Sequence, residues 1–459
     1  MKILIYSYNY HPEPIGIAPL MTELAEGLAR RGHEVRVLTG MPNYPERRIY
    51  AGYRGKLYCT ERVNGVRIDR CYVWIRPKPG LLTRLALDGS FALTSFVRAL
   101  NGWRPDVMLM TSPPLAATVP AAVLRWLYRC PLILNLQDIL PEAAVHTGLI
   151  TNRRAIRVFE ALERFAYRSA TAISAIAEGF VENLLSKGVP AQKITLIPNW
   201  VDVNFIRPLP KENAFRAVNG LQGKFVVLYS GNIALTQGLE TVIDAAKVLD
   251  DHPEAANIQF VIVGEVRALE KLRRYCQENA VSDRVMLLPF QPREALPEML
   301  AAADVSLIVQ RRNVVGFNMP SKTQLILASG RPAIASVPAH GTSSQAIHHS
   351  QAGIVVEPES PLALAQAVLE LARDPDRVDR LGRQGRQHAL EFYSFEVSLD
   401  RYEQLFDRLV NQKQPRQGNL ASTIPPIASP DSAPTPQNSR TPEQSNASIP
   451  KPSSHQTSI

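Results

Sequence analysis

The sequence predicts an α/β protein with two tandem domains, each built on a parallel sheet that helices cover on both faces. Short apolar segments typical of strands alternate with helical segments along most of the chain, and such alternation indicates a parallel sheet. The alternation stops at Ile197–Asp202, where two prolines follow shortly after, and then resumes. A chain of 459 residues, 45% of them hydrophobic, is long enough to bury two cores.

The first domain is predicted over residues 1–200. Its strands are expected at residues 2–6, 35–38, 107–110, 132–135, 172–174 and 195–197. Apolar residues at helical spacing between Met21 and Leu28 predict the first helix, and Gly32 is a typical stop after it. Three prolines interrupt the apolar stretch 107–124, so we expect a strand, a loop and a helix start there rather than a membrane span.

The second domain is predicted over residues 201–394, with strands at residues 225–229, 258–263, 285–288, 305–308 and 333–335. Apolar residues recur at helical spacing over Phe395–Val410, so we expect a helix at 395–412 that completes the first domain. Residues 413–459 are rich in Pro, Ser, Thr, Gln and Asn. We expect a disordered tail there, because so little apolar surface cannot offset the entropy of ordering.

Composition narrows the classes of partner. The net charge of +9 is compatible with nucleic acid, an anionic membrane or a phosphate-bearing ligand, and does not choose among them. The four cysteines lack metal-ligand or redox spacing, so we expect neither a zinc site nor a disulfide framework, and a reducing compartment fits. The apolar start of the chain is too short for a signal peptide, and a cytoplasmic protein is expected.

A glycine-containing turn, Ser230 to Gly238, follows the first strand of the second domain. Such a turn can hold a phosphate against backbone N–H groups and the positive end of a helix. The spacing matches neither a Walker A motif nor a dinucleotide fingerprint, and an ordinary strand-to-helix turn is an equal alternative. Loops with Gly264-Glu265 and with Phe290 end neighbouring strands, which favours one nucleotide site at this edge of the sheet.

The segment Pro320-Ser321-Lys322 is predicted to form the first turn of a helix. A lysine at a helix start opposes the helix dipole unless an anion compensates it. This pattern suggests a bound phosphate beside Lys322, which we expect to be exposed in an open cleft. A solvated surface lysine is the alternative.

Polar residues also follow strands of the first domain. Asp138 and Glu142 come after the strand at 132–135 and are expected to face the cleft between the domains, where carboxylates can act on hydroxyl groups as base or positioner. Helix capping by Asp138 is the alternative. His11, Glu13 and Gly16 lie in the first loop at the same edge and are expected on the acceptor side.

Together these motifs resemble the family 4 glycosyltransferases, retaining enzymes of the GT-B fold, in which two Rossmann-like domains enclose a cleft. The resemblance spans roughly Lys2–Val410, and Asp138–Glu142 and Pro320–Lys322 are similar to the bacterial colanic-acid-type branch. It implies transfer of a sugar from a nucleotide-diphosphate sugar, without a metal or other cofactor, to a glycan or lipid-linked oligosaccharide in polysaccharide biosynthesis. The expected catalytic residues are Asp138, Glu142 and Lys322. The expected donor-binding residues are Gly231, Asn232, Gln237, Gly238, Gly264, Glu265, Phe290, Gly316, Phe317, Asn318 and Ser321.

The sequence departs from the family pattern at two places. The family's glycine turn carries an Arg and a Lys for the diphosphate, and those positions are Asn232 and Gln237 here. The family's two Glu residues, with seven residues between them, fall at Phe317 and Leu325. We therefore expect backbone N–H groups at Gly231 and at the Ser321 helix start, together with Lys322, to hold the diphosphate.

The segment from Trp74 to Trp103 mixes basic residues with apolar and aromatic ones such as Phe91 and Phe96. It suggests an interfacial helix on the inner face of an anionic membrane, and a packed helix with a basic face is an equal alternative.

Three other classes of protein are alternatives to a sugar transferase. They are a nucleotide-sugar epimerase, a non-catalytic sugar-binding assembly protein favoured by the missing acidic pair, and a nucleic-acid binder, for which no motif is present.

Overall fold

The computed structural model describes residues 1–14, 16–76, 80–139, 142, 152–234, 236–314 and 319–412. These residues form two sheets, each flanked by helices, which confirms the α/β fold with two Rossmann-like domains. Residues 413–459, for which a disordered tail was predicted, lie outside the described residues.

The first sheet is formed by the amino-terminal half of the chain. Its strands are β1 (Lys2–Tyr6), β2 (Glu34–Gly40), β3 (Tyr58–Val63), β4 (Val66–Cys71), β5 (Val107–Ser112), β6 (Leu132–Leu136), β7 (Ala172–Ala175) and β8 (Ile194–Leu196). Within the described residues their order is β3-β4-β2-β1-β5-β6-β7-β8, and all neighbours are parallel except β3 and β4. The helices around it are α1 (Ala18–Arg30), α2 (Leu81–Ala99), α3 (Thr118–Tyr128), α4 (Arg153–Ser169) and α5 (Glu178–Ser186).

The central strands are apolar because helices cover both faces of the sheet. All six residues of β5 are buried, as a strand with no solvent face requires. The apolar stretch 107–124 therefore contains β5 and the start of α3, as predicted. No helix in the described ranges has the length and hydropathy that a membrane span needs.

The hairpin β3–β4 was missing from the predicted strands. Its turn consists of Asn64 and Gly65, which both have positive φ angles, 48° and 84°. An Asn-Gly pair between two strand-like segments is a strong signal for a two-residue hairpin turn. The hairpin extends the first sheet at its β2 edge by one antiparallel strand.

The second sheet consists of parallel strands. They are β9 (Phe225–Ser230), β10 (Ile258–Gly264), β11 (Val285–Pro289), β12 (Val305–Val309), β13 (Ala333–Ser336) and β14 (Gly353–Val356), in the order β11-β10-β9-β12-β13-β14. The last of these was not predicted. Its helices are α6 (Ala214–Val218), α7 (Glu240–Val248), α8 (Val266–Glu278), α9 (Leu296–Ala301), α10 (Lys322–Ala328), α11 (Thr342–Ser350), α12 (Pro361–Ala372) and α13 (Pro375–Phe392).

The chain returns to the first sheet at its last described helix, α14 (Phe395–Asn411). Leu399, Tyr402 and Phe406 of this helix are buried in the same core as Ile3 and Ile5 of β1. The Tyr402 hydroxyl accepts a hydrogen bond from the Asn135 side chain of β6 at 2.8 Å. The helix thus contributes apolar surface and a buried polar contact to the first sheet.

Contacts between the domains join α5 and α11. The Gln345 amide of α11 donates to Glu182 of α5 at 3.0 Å. One turn further along α11, His349 Nδ1 lies 3.3 Å from the Glu178 carboxylate of α5. Met319, three residues before α10, packs against core residues of both sheets. The start of α10 therefore lies where the two domains meet.

Candidate active site

A pocket of about 310 Å³ lies at the carboxyl ends of the second-sheet strands, beside the start of α10. Loops after parallel strands meet at this edge, which is where ligands of open α/β sheets bind. Six residues of the predicted site line the pocket, namely Gly231, Asn232, Gln237, Phe290, Ser321 and Lys322. These six residues come from the glycine turn, from the loop after β11 and from the start of α10.

The Lys322 amine is the principal chemical group of the pocket. Its Nζ lies 3.4 Å from the centre of the Tyr229 ring, is shielded from solvent, and makes no hydrogen bond to any residue that the structure describes. The prediction that Lys322 is exposed is therefore wrong, because α10 begins at Lys322 and directs this side chain under the glycine turn. Lys322 is also the only charged residue among the described residues that line the pocket.

Gly231 provides the space for this amine. Its φ angle is 137°, and a Cβ atom added at this position would lie 3.1 Å from Lys322 Nζ. A side chain here would be strained and would press on the lysine. The glycine is therefore needed for the lysine to pack below the turn, a function that its spacing in the sequence did not indicate.

The buried position has an electrostatic consequence. Burial lowers the pKa of Lys322 to about 7, since the ring of Tyr229 compensates only part of the hydration that the ammonium loses. A buried amine without a hydrogen-bond acceptor is unfavourable. An anion in the pocket would provide acceptor oxygens and opposite charge together.

The glycine turn itself is held by internal hydrogen bonds. The Gly231 N–H donates to the Val263 carbonyl at 3.1 Å, so the expectation that this N–H binds the diphosphate is wrong. The Gln237 side chain accepts from the Ala234 N–H at 3.0 Å, which closes the turn. The Tyr229 hydroxyl donates to the Asn232 carbonyl at 2.8 Å.

Gly264 allows the turn to approach β10. An added Cβ would lie 2.3 Å from Cδ1 of Ile233 and 3.3 Å from the Gly231 carbonyl oxygen. Gly264 therefore supports the site through packing. It does not itself line the pocket, and neither does Glu265, an exposed residue at the start of α8.

Gly238 packs against an arginine that is already paired. A Cβ at Gly238 would lie 3.0 Å from Arg311 Cγ, and Arg311 forms ion pairs with Glu240 at 3.0 Å and Glu359 at 3.2 Å. Gly238 is not among the residues lining the pocket. The remaining predicted donor residues, Gly316, Phe317 and Asn318, lie outside the described residues.

The two predicted catalytic carboxylates of the first domain lie in different surroundings. Asp138 is half-buried just after β6, and burial raises its pKa, against the effects of the Ile139 N–H and of Arg84. Glu142 instead accepts hydrogen bonds from Asn183 at 2.8 Å and Lys187 at 3.0 Å. It lines a separate cavity of about 500 Å³ between α4 and the end of α5, so the structure does not bring it to the pocket of Lys322.

The first loop was predicted to contact the acceptor. Glu13 is buried, and its carboxylate accepts from the Asn43 N–H at 2.8 Å, the Tyr44 N–H at 2.9 Å and the Asn9 amide at 2.6 Å. These bonds engage both carboxylate oxygens of Glu13 and tie the loops after β1 and β2 together. His11 and Gly16 are exposed, and their contact with an acceptor stays a prediction.

Asp88 of α2 is a partly buried acid that was not among the predicted site residues. Asp88 is the only acid in α2, a helix that is otherwise mainly apolar. It is half-buried, and burial raises its pKa to about 6, with Arg84 opposing the shift. Arg84 acts electrostatically on Asp138 as well, which places both acids near one arginine. A single acid in an apolar helix was the signal that could have identified it.

Metal binding was expected to be unnecessary. Within the described ranges, no group of three or more His, Cys, Asp or Glu side chains is placed to hold a metal ion. Independence from metal stays a prediction.

Two Rossmann-like domains, with a pocket beside the place where they meet, are the architecture expected of a GT-B glycosyltransferase. Comparisons with known families support the same class. Residues 16–200 match the family described as "Glycosyl transferase 4-like domain", and residues 211–388 match "Glycosyl transferases group 1". The protein is a glycosyltransferase of the GT-B fold. These matches do not favour the epimerase, assembly-protein or nucleic-acid-binding alternatives.

The chain belongs to glycosyltransferase family 4. It is 32% identical over 377 residues to the putative colanic acid biosynthesis glycosyl transferase WcaI of Escherichia coli, covering 80% of this chain and 91% of WcaI. The probable glycosyltransferase WbjE of Pseudomonas aeruginosa is 26% identical over 322 residues, covering 68% of this chain and 76% of WbjE. Both similarities extend through the two domains.

Solved structures support the fold. Anabaena HepE in complex with UDP has a TM-score of 0.67 at 17% identity, covering 89% of this chain and 100% of HepE. HepE in complex with UDP-glucose has a TM-score of 0.63 at 18% identity, covering 88% of this chain and 99% of HepE. At these identities the likeness concerns the fold alone.

Proposed function

We propose that the protein transfers a sugar from a nucleotide-diphosphate sugar to a glycan or lipid-linked oligosaccharide, with retention at the anomeric carbon, in the synthesis of an extracellular or cell-surface polysaccharide. The name of WcaI, which refers to colanic acid biosynthesis, supports this pathway class. The UDP and UDP-glucose complexes of HepE support a nucleotide-sugar donor. The acceptor is proposed to lie at the inner surface of the plasma membrane.

The observation that carries the proposal is the buried amine of Lys322, which has no hydrogen-bond partner in the described parts of the chain. A diphosphate leaving group gains negative charge as the bond to the sugar breaks, and a preorganised cation in a shielded pocket stabilises that charge. Asn232 and Gln237 replace the cations that the family usually has in the glycine turn. Lys322 is therefore proposed to supply the charge, and no metal ion is proposed to take part.

Bound diphosphate is expected to restore the ordinary charge of Lys322. Its pKa is about 7 when the amine is buried against Tyr229 alone, and a neighbouring anion favours the protonated amine. Donor binding above pH 7 therefore takes up a proton, and donor affinity falls as the pH rises further. Asp138 is proposed to position sugar or acceptor hydroxyls, while Gly316, Phe317 and Asn318 are still predicted to hold the donor sugar.

The test begins with a thermal-shift panel of nucleotides and nucleotide sugars, since a ligand of the native state raises the melting temperature. With the donor identified, Lys322→Ala is expected to lower turnover at least ~100-fold, as does the loss of a preorganised oxyanion donor. Lys322→Arg should recover part of the rate, because a planar guanidinium fits a different geometry. Lys271→Ala, which removes an exposed lysine of α8, is the matched control.

Near-normal turnover of Lys322→Ala would assign the charge to another group. Arg311 and Arg312 are already paired with glutamates, so this result would contradict the proposed mechanism itself. The configuration of the product, measured by NMR, tests retention separately. Unchanged activity after treatment with a chelator is the expected result for a metal-independent reaction.

A further inference from the structure

Three neighbouring helices of the first domain expose apolar residues on their outer sides. On α2 these are Leu85, Leu93 and Val97, of which Leu93 is 67% exposed. Their spacing puts them on one side of the helix, while Phe91, Ser95 and Ala99 on the other side are buried. Of the aromatic residues on which the sequence-based membrane prediction rested, Phe91 is buried and Trp74, Phe96 and Trp103 are partly buried, whereas Leu85 of the same segment faces outward.

The same pattern continues on α3. Val119, Val123, Trp126 and Leu127 are all exposed, and the Trp126 side chain is 80% exposed. These positions again share one side of the helix. On α4, Val158 and Phe165 are exposed as well. Because α3 packs against both α2 and α4, these exposed apolar residues lie on three adjoining helices, and together we call them the apolar face.

This face is unusual for a solvated helix. The outer residues of α8 in the second domain include Arg267, Glu270 and Lys271, all charged and exposed. In contrast, α3 contains no acidic residue, and its outer side is apolar throughout. A contiguous exposed apolar patch marks a site of interaction rather than ordinary surface.

Arginines surround the apolar face. Arg129 ends α3, and Arg153, Arg154 and Arg157 lie on the first turns of α4, all exposed. None of these four has an ion-pair partner in the described part of the chain. Apolar and tryptophan side chains with a basic border are suited to a bilayer interface that contains anionic lipids. A second copy of the chain fits less well, because a symmetric contact would oppose like charges.

We propose that the outer face of α2, α3 and α4 docks on an anionic lipid surface, with Trp126 inserted at the interface. This inference rests on the proposed function, in which the acceptor lies at a membrane. The orientation is consistent with that function, since α2 presents its outer side to lipid and contains Asp88 on its inner side, near Arg84 and Asp138.

The full-length protein is to be floated with vesicles made of equal parts phosphatidylcholine and phosphatidylglycerol, and with vesicles of phosphatidylcholine alone. We expect binding to the anionic vesicles that weakens with salt. Trp126→Ala should reduce the partition at least ~tenfold, as expected for the loss of a buried large apolar side chain. The double variant Arg153→Gln, Arg157→Gln should reduce it ~25-fold, since each basic residue near a lipid surface contributes about fivefold.

Val218→Ala is the matched control, because Val218 is 84% exposed on α6 of the second domain; its partition should be unchanged. Tryptophan fluorescence gives a second readout. Trp126 is far more exposed than the partly or fully buried Trp74, Trp103 and Trp200, so a blue shift on adding anionic vesicles should be abolished by Trp126→Phe.

Equal partition of the wild type and Trp126→Ala would overturn the proposal. So would a dimer in solution that Trp126→Ala dissociates, since this would identify a second copy as the occupant. The nucleotide-induced thermal shift, measured without vesicles, separates the two proposals. A normal shift with no vesicle binding would refute docking alone, whereas vesicle binding without any nucleotide shift would refute the proposed function.

Discussion

Replacement of Lys322 by Met is expected to stabilise the donor-free protein while it abolishes most activity. The substitution retains an unbranched side chain of similar length against the Tyr229 ring and removes the charge. Burial lowers the pKa of Lys322 from 10.5 to about 7, which corresponds to ~4 kcal/mol of unfavourable free energy in the folded state at pH 7. A methionine that packs in the same space should recover roughly half or more of that.

The dependence on pH has a definite sign. The penalty is largest below pH 7, where the amine is charged in both the folded and the unfolded chain. It decreases as the pH rises through 7 towards 10.5, because the folded state then holds a neutral amine and the unfolded state progressively loses its proton. The stabilisation by Lys322→Met should therefore be greatest at pH 6 and small near pH 10, a difference that distinguishes electrostatic relief from better packing.

Thermal unfolding of the wild type, Lys322→Met and the control Lys271→Met provides the assay. In domains of this size each kcal/mol raises the melting temperature by ~2–4 °C, so an increase of several degrees is expected at pH 7. Lys271 is exposed, and its replacement should change the melting temperature little. A melting temperature of Lys322→Met at or below that of the wild type at every pH would refute the claim that the buried amine destabilises the folded protein.

Two further results are expected. If the ionisation of Asp88 affects turnover, activity should change through pH 6, because burial raises the pKa of Asp88 to about 6, and Asp88→Asn should remove that change; an unaltered pH profile would show that ionisation of Asp88 does not contribute. Gly264→Ala should weaken donor binding ~tenfold and lower stability by ~1–3 kcal/mol, because the new Cβ would lie 2.3 Å from Ile233 Cδ1. Gly52→Ala, where no atom lies within 4 Å, should leave both unchanged.

Much of the fold was accessible from the sequence, because strand and helix periodicities are local properties. The predicted strand at residues 2–6 coincides with β1, and the predicted helix over Phe395–Val410 coincides with α14 to within one residue. The hairpin β3–β4 was overlooked although its Asn64-Gly65 turn is a local signal. The edge strand β14, four half-buried residues long, has little pattern of its own to recognise.

The burial and hydrogen bonding of individual side chains could not be predicted as well from the sequence. The Lys322 amine is buried because it packs against Tyr229 and Gly231, which lie about ninety residues earlier in the chain. The Gly231 N–H is hydrogen-bonded to Val263 because β10 pairs with β9. The sequence around Gly231 does not indicate this pairing. Likewise, nothing in the spacing of α2 and α3 reveals that Phe91 is buried whereas Trp126 points outward. Such facts follow from tertiary packing.

The return of α14 to the first sheet has a consequence for biosynthesis. Until residues 395–411 leave the ribosome, the apolar surface of the first sheet that receives Leu399, Tyr402 and Phe406 is uncovered, and the Asn135 amide lacks the Tyr402 hydroxyl as an acceptor. The second sheet packs against helices that end by residue 392. The first domain, although most of it is synthesised first, therefore completes its core only after the chain of the second domain has been made.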